Sequence, residues 1–280
     1  MKIAIVGLGL IGGSLAKAIK KNTNYRCFAL DINKGTIAGA LAQEAIDGEI
    51  TVDELHTCDV VIVSLYPQET IDFISENKDK FKPDGIIIDT CGIKGEIVKG
   101  AEAALKDTNV KFLGCHPMAG REFSGFAYSV DNLFEKASFI MTPTDETPMK
   151  VVKEISAFAY NIGFAKVVVS SPDEHDSVIA FTSQLAHIVS SSYVKSPSLL
   201  KQAGFSAGSF KDLTRVAKLN EDMWTTLFMM NKEHLGMEID HIIKCLVEYR
   251  DALANSDTQK LHDLLRDGRE LKELSLNQKN

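Results

Sequence analysis

The chain has 280 residues, of which 45% are hydrophobic and 25% charged, a balance typical of globular proteins that bury a substantial core. Its formal net charge of −7 and its lack of clustered Lys and Arg argue against a nucleic-acid partner, because phosphate binding needs concentrated positive charge. No apolar run approaches the roughly 18 residues that cross a bilayer, and the N-terminus lacks a basic leader, so we expect a cytoplasmic protein without membrane contact that binds a small molecule or another copy of itself.

Short runs rich in β-branched residues alternate with helical stretches through the first 170 residues. The predicted strands cover 2–6, 25–30, 59–65, 85–89, 111–115, 138–142 and 166–170. Continuous apolar strands separated by helices predict a parallel sheet that is covered on both faces. Residues 1–170 are therefore predicted to form a doubly wound α/β domain of the Rossmann type.

A glycine-rich stretch, "IVGLGLIGGS", follows the first predicted strand. It places Gly7, Gly9 and Gly12 in a G-x-G-x-x-G pattern, with Leu10 and Ile11 in the same turn at the start of a helix. The first glycine suits a tight turn, the second lets a pyrophosphate approach the backbone, and the third allows close packing of helix on strand. The pattern predicts a dinucleotide-binding turn, and the alternative is a tight turn with no ligand.

Asp31 ends the second predicted strand, 19 residues after Gly12. A carboxylate at this position can accept hydrogen bonds from both ribose hydroxyls of an adenosine, and it repels a 2′-phosphate. Because no arginine follows Asp31, the sequence favours NAD over NADP as the cofactor. Lys34 could soften that preference, since a nearby ammonium group tolerates a phosphate.

Three loops follow the third, fourth and fifth predicted strands: "SLYP", "DTCGIKG" and "HPMAGRE". Ligands of doubly wound sheets lie outside the carboxyl ends of the strands, so these loops are predicted to line the site. The cofactor contacts predicted in the first two loops are Ser64, Leu65, Pro67, Thr90 and Gly92. His116 opens the third loop, and an imidazole suits the removal of a hydroxyl proton at neutral pH. Its position alone is equally consistent with a histidine that stiffens a turn.

Helical periodicity replaces the strand pattern after Ser170. Helices are predicted at 172–194, 209–219, 221–252 and 256–274, and the first opens with Ser171, Pro172 and Glu174 at the N-cap, N1 and N3 positions of a capping box. Residues 171–280 are thus predicted to form an all-α domain. It carries more large apolar residues than a monomeric bundle needs, which predicts a homodimer through this half; a buried central helix is the alternative.

The five cysteines, at 27, 58, 91, 115 and 245, are dispersed without a C-x-x-C pair. This spacing suggests neither a zinc or other metal site nor a disulfide framework. We expect most of them to be buried thiols.

Five motifs together resemble the prephenate and arogenate dehydrogenases of tyrosine biosynthesis. They are "GLGLIGGSLA", "DTCGIKG", "HPMAGREFSG" (116–125), "SQLAH" (183–187) and "FKDLTRVA" (210–217), so the resemblance spans nearly the whole chain. It implies an NAD-dependent oxidative decarboxylation of prephenate to 4-hydroxyphenylpyruvate, with arogenate as the alternative substrate. In this resemblance His116 is the base that takes the hydroxyl proton.

The resemblance also implies a substrate site in the helical half. Arg215 falls on the family's substrate-binding arginine, and Lys211, one turn earlier, shares its helix face. His187 falls on a histidine that contacts substrate, and Ser183 lies four residues before it on the same helix. Without the resemblance, Arg215 and Lys211 are equally typical of a solvated basic face, and a lone histidine such as His187 is more often a core or surface residue than a ligand.

The chain departs from the family pattern at three positions. Gly92 stands where many relatives carry a serine, so another group, such as Ser183 or a water, is expected to orient His116. Gln184 and Ala186 replace a histidine and a proline.

Several further residues match the family. Lys94 matches the family pattern, although its side chain could simply face solvent. Trp224 matches a family position near the substrate pocket, although core packing explains it equally well. His175 and Asp176 are expected to be structural residues near the domain junction. Two other classes stay open: a β-hydroxyacid dehydrogenase or imine reductase on the same two-domain plan, and a nucleotide-sensing protein without turnover.

Overall fold

Eight strands form a single mixed sheet in the computed structural model, which describes residues 1–121 and 123–277. The strands are β1 (Lys2–Val6), β2 (Arg26–Leu30), β3 (Gly48–Glu49), β4 (Val60–Val63), β5 (Ile86–Asp89), β6 (Lys111–Pro117), β7 (Ser138–Thr142) and β8 (Lys166–Val169). Their order across the sheet is β3–β2–β1–β4–β5–β6–β7–β8. All neighbours pair in parallel except β6 and β7, which are antiparallel.

The antiparallel pair is a correction to the predicted, wholly parallel sheet. A parallel return needs a long crossover, usually a helix. The described part of the 118–137 connection has one 3₁₀ turn (Phe126–Tyr128), and the chain returns beside β6 in the opposite direction. Strand β6 also runs two residues further than predicted, and the two-residue β3 was not predicted.

Helices cover both faces of the sheet, as predicted. They are α1 (Leu10–Asn22), α2 (Lys34–Ala42), α3 (Pro67–Glu76), α4 (Gly95–Leu105) and α5 (Met149–Asn161). Alternate residues of β1 enter two separate cores: Ile3 and Ile5 join the core that contains α1 and α5, whereas Val6 joins the core that contains α3 and α4. Because strand side chains alternate between faces, a central strand such as β1 serves both cores.

The helical half departs from all four of its predicted helices, and the last of them, predicted at 256–274, is observed at Thr258–Asn277. It contains α6 (Pro172–Ile179), a π-helical segment (Ala180–Leu185), α7 (Ala186–Tyr193), α8 (Gly208–Thr214), α9 (Glu221–Met230), α10 (Lys232–Ala254) and α11 (Thr258–Asn277). The predicted helix 172–194 contains the π-helical segment, and the predicted helix 209–219 ends at Thr214. The predicted helix 221–252 is two helices, because Asn231 adopts a non-helical backbone and its buried amide bonds other segments.

The start of α6 confirms Ser171 as the N-cap, since its hydroxyl oxygen accepts from the Glu174 amide at 3.1 Å. The Glu174 carboxylate does not complete the predicted capping box, because it accepts from the Ser170 hydroxyl at 2.7 Å.

Contacts divide the chain into two compact units, Met1–Asn231 and a second that starts at Lys232. The boundary predicted after residue 170 falls inside the first unit and stays a prediction of where the substrate-binding helices begin. In the second unit α10 and α11 form a pair, in which the Tyr249 hydroxyl donates to the Leu264 carbonyl at 3.2 Å.

Cys27, Cys58, Cys91 and Cys115 are buried free thiols, which confirms that expectation. Among the described residues, no helix is both long and apolar enough to cross a membrane, and no group of His, Cys, Asp and Glu is placed to hold a metal ion.

Candidate active site

The glycine turn between β1 and α1 forms a cradle that requires glycine at positions 7 and 12. Gly7 has φ +90°, and a Cβ there would lie 2.6 Å from the Ser64 carbonyl oxygen. A Cβ at Gly12 would lie 2.0 Å from the Gly7 carbonyl oxygen, whereas a Cβ at Gly9 would meet nothing within 4 Å. The first amides of α1, including those of Leu10 and Ile11, follow an N-cap without a side-chain hydrogen bond. This open turn, with uncapped amides behind it, fits a pyrophosphate.

Asp31 is oriented at the rim of this cradle by two backbone amides. Its carboxylate accepts from Leu8 and from Asn33, each at 2.8 Å. Carboxylate oxygens have further lone pairs, so Asp31 can also accept from a ribose. The ammonium group of Lys34 is in an ion pair with Glu49. Because Glu49 offsets the positive charge of Lys34, Lys34 is less suited to bind the 2′-phosphate of NADP.

The loops after β4 and β5 are joined side by side at the carboxyl edge of the sheet. The Ser64 and Thr90 hydroxyls are 2.9 Å apart and share a hydrogen bond. Leu65 contacts the glycine turn, since its Cδ2 would lie 2.8 Å from a Cβ at Gly7. Pro67 is the first residue of α3. These predicted cofactor residues therefore border one continuous edge next to the cradle.

His116 extends beyond this edge on β6. The last parallel pair of β5 and β6 is Ile88 with Leu113, and His116 then pairs with Ile140 of β7. Its Nδ1 is 2.9 Å from Nε2 of His175, and the two rings are inclined by 67°. A Cβ at Gly92 would be 3.9 Å from Nε2 of His116, so this nitrogen faces the glycine-containing loop.

His175 is thus the side chain that bonds Nδ1 of His116, in the place where the sequence suggested Ser183 or a water. Nδ1 of His175 is 2.7 Å from Oδ1 of Asp176. The Asp176 carboxylate also accepts from the amides of Lys94 and Gly95, both at 2.7 Å, at the start of α4. His175 and Asp176 are both buried, which agrees with the structural role expected for them, and their bonds also connect His116 to the start of α4.

Lys94 does not face solvent: its side chain is completely buried. Its ammonium group is in an ion pair with the equally buried Asp89 and donates to the Cys115 carbonyl at 2.7 Å. Asp89 also accepts from the amides of Cys91 and Cys115, each at 2.9 Å. This buried pair fixes the "DTCGIKG" loop against β6, one residue before His116.

The surroundings of His116 favour its neutral form. Burial is the largest effect that holds the pKa of His116 well below its usual value of 6.5, and the neighbouring His175 and the positive charge of Lys94 act in the same direction. A neutral imidazole has one nitrogen with a lone pair, which is the requirement for a proton acceptor.

A second group of predicted residues surrounds His187 in the helical half. Its Nδ1 donates to the Ser183 carbonyl at 2.8 Å, and its ring lies on Trp224 with centroids 4.0 Å apart. The pKa of His187 is lowered by partial burial; the bond to Ser183 opposes that shift, and the positive charge of Arg215 adds to it. Arg215 and Lys211 are exposed at the end of α8. Ser183 contacts His187 through its backbone carbonyl and not through its hydroxyl group.

Helix α9 joins the two groups. Trp224 lies against His187, and Leu227, one turn later, lies near Gly92 and His116. The buried Gln184 accepts from Asn231 at 2.7 Å, and Asn231 also donates to the Asp176 carbonyl at 2.9 Å. Through Asn231, Gln184 therefore connects the π-helical segment to the backbone of Asp176, the residue that follows His175. No local pattern in the sequence marks Asn231. The adjacent letters "HD" at 175–176 could have pointed to the bonded pair His175 and Asp176.

Comparisons with known proteins agree along the chain. Residues 15–169 match the family model of the prephenate dehydrogenase nucleotide-binding domain, and residues 171–267 match that of the prephenate dehydrogenase dimerization domain. A prephenate dehydrogenase of Bacillus subtilis is 31% identical over 270 residues, which are 92% of this chain and 72% of that protein. A cyclohexadienyl dehydrogenase of Zymomonas mobilis is 29% identical over 265 residues, 91% of this chain and 89% of that protein.

A solved structure is similar over almost the full length. The prephenate dehydrogenase of Aquifex aeolicus, in complex with hydroxyphenyl propionate and NAD⁺, has a TM-score of 0.87 and 29% identity, with 99% of this chain and 98% of that chain covered.

Proposed function

This chain belongs to the prephenate dehydrogenase family, and from that premise we propose that it catalyses the NAD-dependent oxidative decarboxylation of prephenate to 4-hydroxyphenylpyruvate. The observation that carries the proposal is the geometry of His116: its Nδ1 is held by His175, and its Nε2 faces the carboxyl edge of a sheet with a glycine cradle. Burial also lowers the pKa of His116, which favours the proton-accepting form.

The cradle supports NAD as the cofactor. Gly7, Gly9 and Gly12 would hold the pyrophosphate against the start of α1, and Asp31 would accept from the ribose. The edge residues Ser64, Leu65, Pro67, Thr90 and Gly92 would border the nicotinamide half. NAD⁺ bound there supplies the oxidant, which takes up the hydride that the ring carbon of the substrate loses.

His116 supplies the base of the reaction. Oxidation of the ring carbinol requires that its hydroxyl proton leaves, and Nε2 of His116 is the ring nitrogen that faces the cofactor edge and would accept it. Loss of CO₂ then aromatises the ring. The protein's contribution is to orient the carbinol against the oxidant and to accept the proton, because aromatisation supplies much of the driving force.

The second group of residues would bind the carboxylates of the substrate. Arg215 can grip a carboxylate with two parallel hydrogen bonds, and Lys211, on the same helix face, adds a second positive charge. His187, with its Nδ1 bonded to Ser183, keeps Nε2 for a substrate contact. Trp224 fixes the plane of the His187 ring.

We also propose that the chain forms a homodimer through its helical half. The match to the dimerization domain supports this assembly, since that model covers residues 171–267. In the second unit, Leu246, Leu253 and Leu265 each remain about 60% exposed, which is apolar surface that a partner would cover.

Turnover of prephenate and of arogenate, each with NAD⁺ and with NADP⁺, tests the assignment. The expected result is reduction of NAD⁺ with prephenate. Arogenate is the second candidate because the motifs of this chain resemble those of arogenate dehydrogenases as well as prephenate dehydrogenases. If neither substrate yields reduced nicotinamide, while isothermal titration shows NAD binding, a nucleotide-sensing protein becomes the better description.

A further inference from the structure

A directional chain of hydrogen bonds begins on Asp176 and ends on the back of the His116 ring. We propose that His175 and Asp176 are positioning residues that keep the proton of neutral His116 on Nδ1, so that its Nε2 is bare toward the substrate. This inference rests on the proposed function, in which Nε2 of His116 receives the hydroxyl proton.

Asp176 sets the direction of the chain because an ionised carboxylate only accepts hydrogen bonds. Its Oδ2 accepts from the Gly95 amide, and its Oδ1 accepts from the Lys94 amide and faces Nδ1 of His175 at 2.7 Å. Nδ1 of His175 therefore carries a hydrogen. In a neutral ring the other nitrogen then has a lone pair, so Nε2 of His175 is an acceptor.

His116 is the next link. Its Nδ1 lies 2.9 Å from Nε2 of His175 and must donate to it, which leaves Nε2 of His116 without a proton. The opposite direction needs a positively charged His175 as the donor. That cation would lie in a buried site that already contains the ammonium group of Lys94. The two backbone amides and the N-terminus of α4 stabilise the Asp176 charge, so His175 need not be charged to balance it.

On the Nε2 side of the His116 ring, the neighbouring loop provides no side chain that could orient the imidazole. Gly92 has no side chain to bond Nε2, and the nearest neighbours of a Cβ at that position would be Nε2 itself and the Leu227 methyl group, both at 3.9 Å. The orientation of the imidazole therefore depends on its Nδ1 bond. When Nε2 gains a proton, that bond becomes charge-assisted, and the Asp176 carboxylate lies only one ring away.

Nitrogen NMR of the full-length protein labelled with ¹⁵N-histidine reads the tautomer directly. The His116 signals are identified by their loss in His116→Asn. At neutral pH we expect a proton on Nδ1 of His116 and a bare Nε2. In His175→Leu, which removes the acceptor, both tautomers of His116 should be populated.

Kinetics with prephenate and NAD⁺ separate positioning from folding. His175→Leu should lower kcat by about 10²-fold, since the base is then held in a mixture of states. His175→Gln places an amide oxygen where Nε2 stood and should retain kcat within about tenfold of the wild type. His56→Leu, the same kind of change at an exposed histidine bonded only within its own turn, should leave kcat unchanged.

A proton on Nε2 of His116 in the wild type would overturn the proposal. So would a His175→Leu variant that keeps both the wild-type tautomer and a kcat within about twofold. If His175→Leu does not fold, the wild-type spectrum and His175→Gln still decide. A wild-type protein inactive on both substrates would instead refute the proposed function, and the spectrum would still report the tautomer.

Discussion

Replacing Lys94 with methionine removes a buried positive charge while it keeps the length and most of the volume of the side chain. The ammonium group has two partners, the Asp89 carboxylate and the Cys115 carbonyl, and both Lys94 and Asp89 are completely buried. The variant therefore leaves an unpaired carboxylate with only its two amide donors. Breaking such a pair from one side costs about 3–5 kcal/mol. We expect the free energy of unfolding to fall by that amount in urea titrations followed by circular dichroism.

Lys99→Met is the matched control, because Lys99 is exposed on α4 and the chemical change is the same. Its free energy of unfolding should change by no more than about 0.5 kcal/mol. A Lys94→Met loss below about 1 kcal/mol would refute the reasoning, since it would mean that the pair contributes no more than an exposed one.

The same variant has a kinetic consequence. Lys94 lowers the pKa of His116, and the unpaired Asp89 carboxylate would act in the opposite direction. The pKa of His116 should therefore rise in Lys94→Met. The acid limb of kcat/KM then moves to higher pH, whereas Lys99→Met leaves it in place.

Three further predictions concern the site itself. His116→Asn should lower kcat by about 10²-fold or more and leave NAD affinity intact in isothermal titration; a near-normal kcat would remove His116 from the mechanism. Arg215→Ala should raise KM for prephenate with little change in kcat, by the roughly 1.5–3 kcal/mol of a hydrogen bond to a charged group. An unchanged KM would place Arg215 outside the substrate pocket. In the wild type, kcat/KM should rise with pH through a limb below pH 6.5 and then level off, because the pKa of His116 is lowered and only its unprotonated form accepts a proton. A limb at or above pH 6.5, the usual pKa of a histidine, would contradict that shift.

The parts of the fold that the sequence predicted are those with local causes. Apolar runs marked seven of the eight strands, and the spacing of Gly7, Gly9 and Gly12 predicted the cradle, because turn geometry acts over a few residues. Strand β7 was predicted at 138–142, but its antiparallel direction was not, because strand direction depends on the path of a 20-residue connection. The helix break at Asn231 was missed for a similar reason, since the amide's partners come from the other end of the helical half.

The candidate site was predictable in its outer residues and not in its buried ones. His116 follows a strand and matches a motif, so its position near the cofactor edge could be read from the chain. Its contact with His175 spans 59 residues and exists only in the folded protein. The burial of Lys94 could not be predicted, because lysine side chains are almost always exposed unless they are paired. Its partner Asp89 is buried only in the folded protein.

The buried polar groups make stability and catalysis depend on one loop. Asp176 accepts from the first amides of α4 and orients His175 with the same carboxylate, and Lys94 joins that loop to the strand of His116. A change that loosens the loop should therefore lower the free energy of unfolding and kcat together, because the tautomer of the base is set by the same contacts. Arg215 is exposed at the end of α8, and its positive charge lowers the pKa of His187. Because the loss of an exposed side chain seldom unfolds a protein, replacing Arg215 should change substrate affinity while the fold and the base are retained.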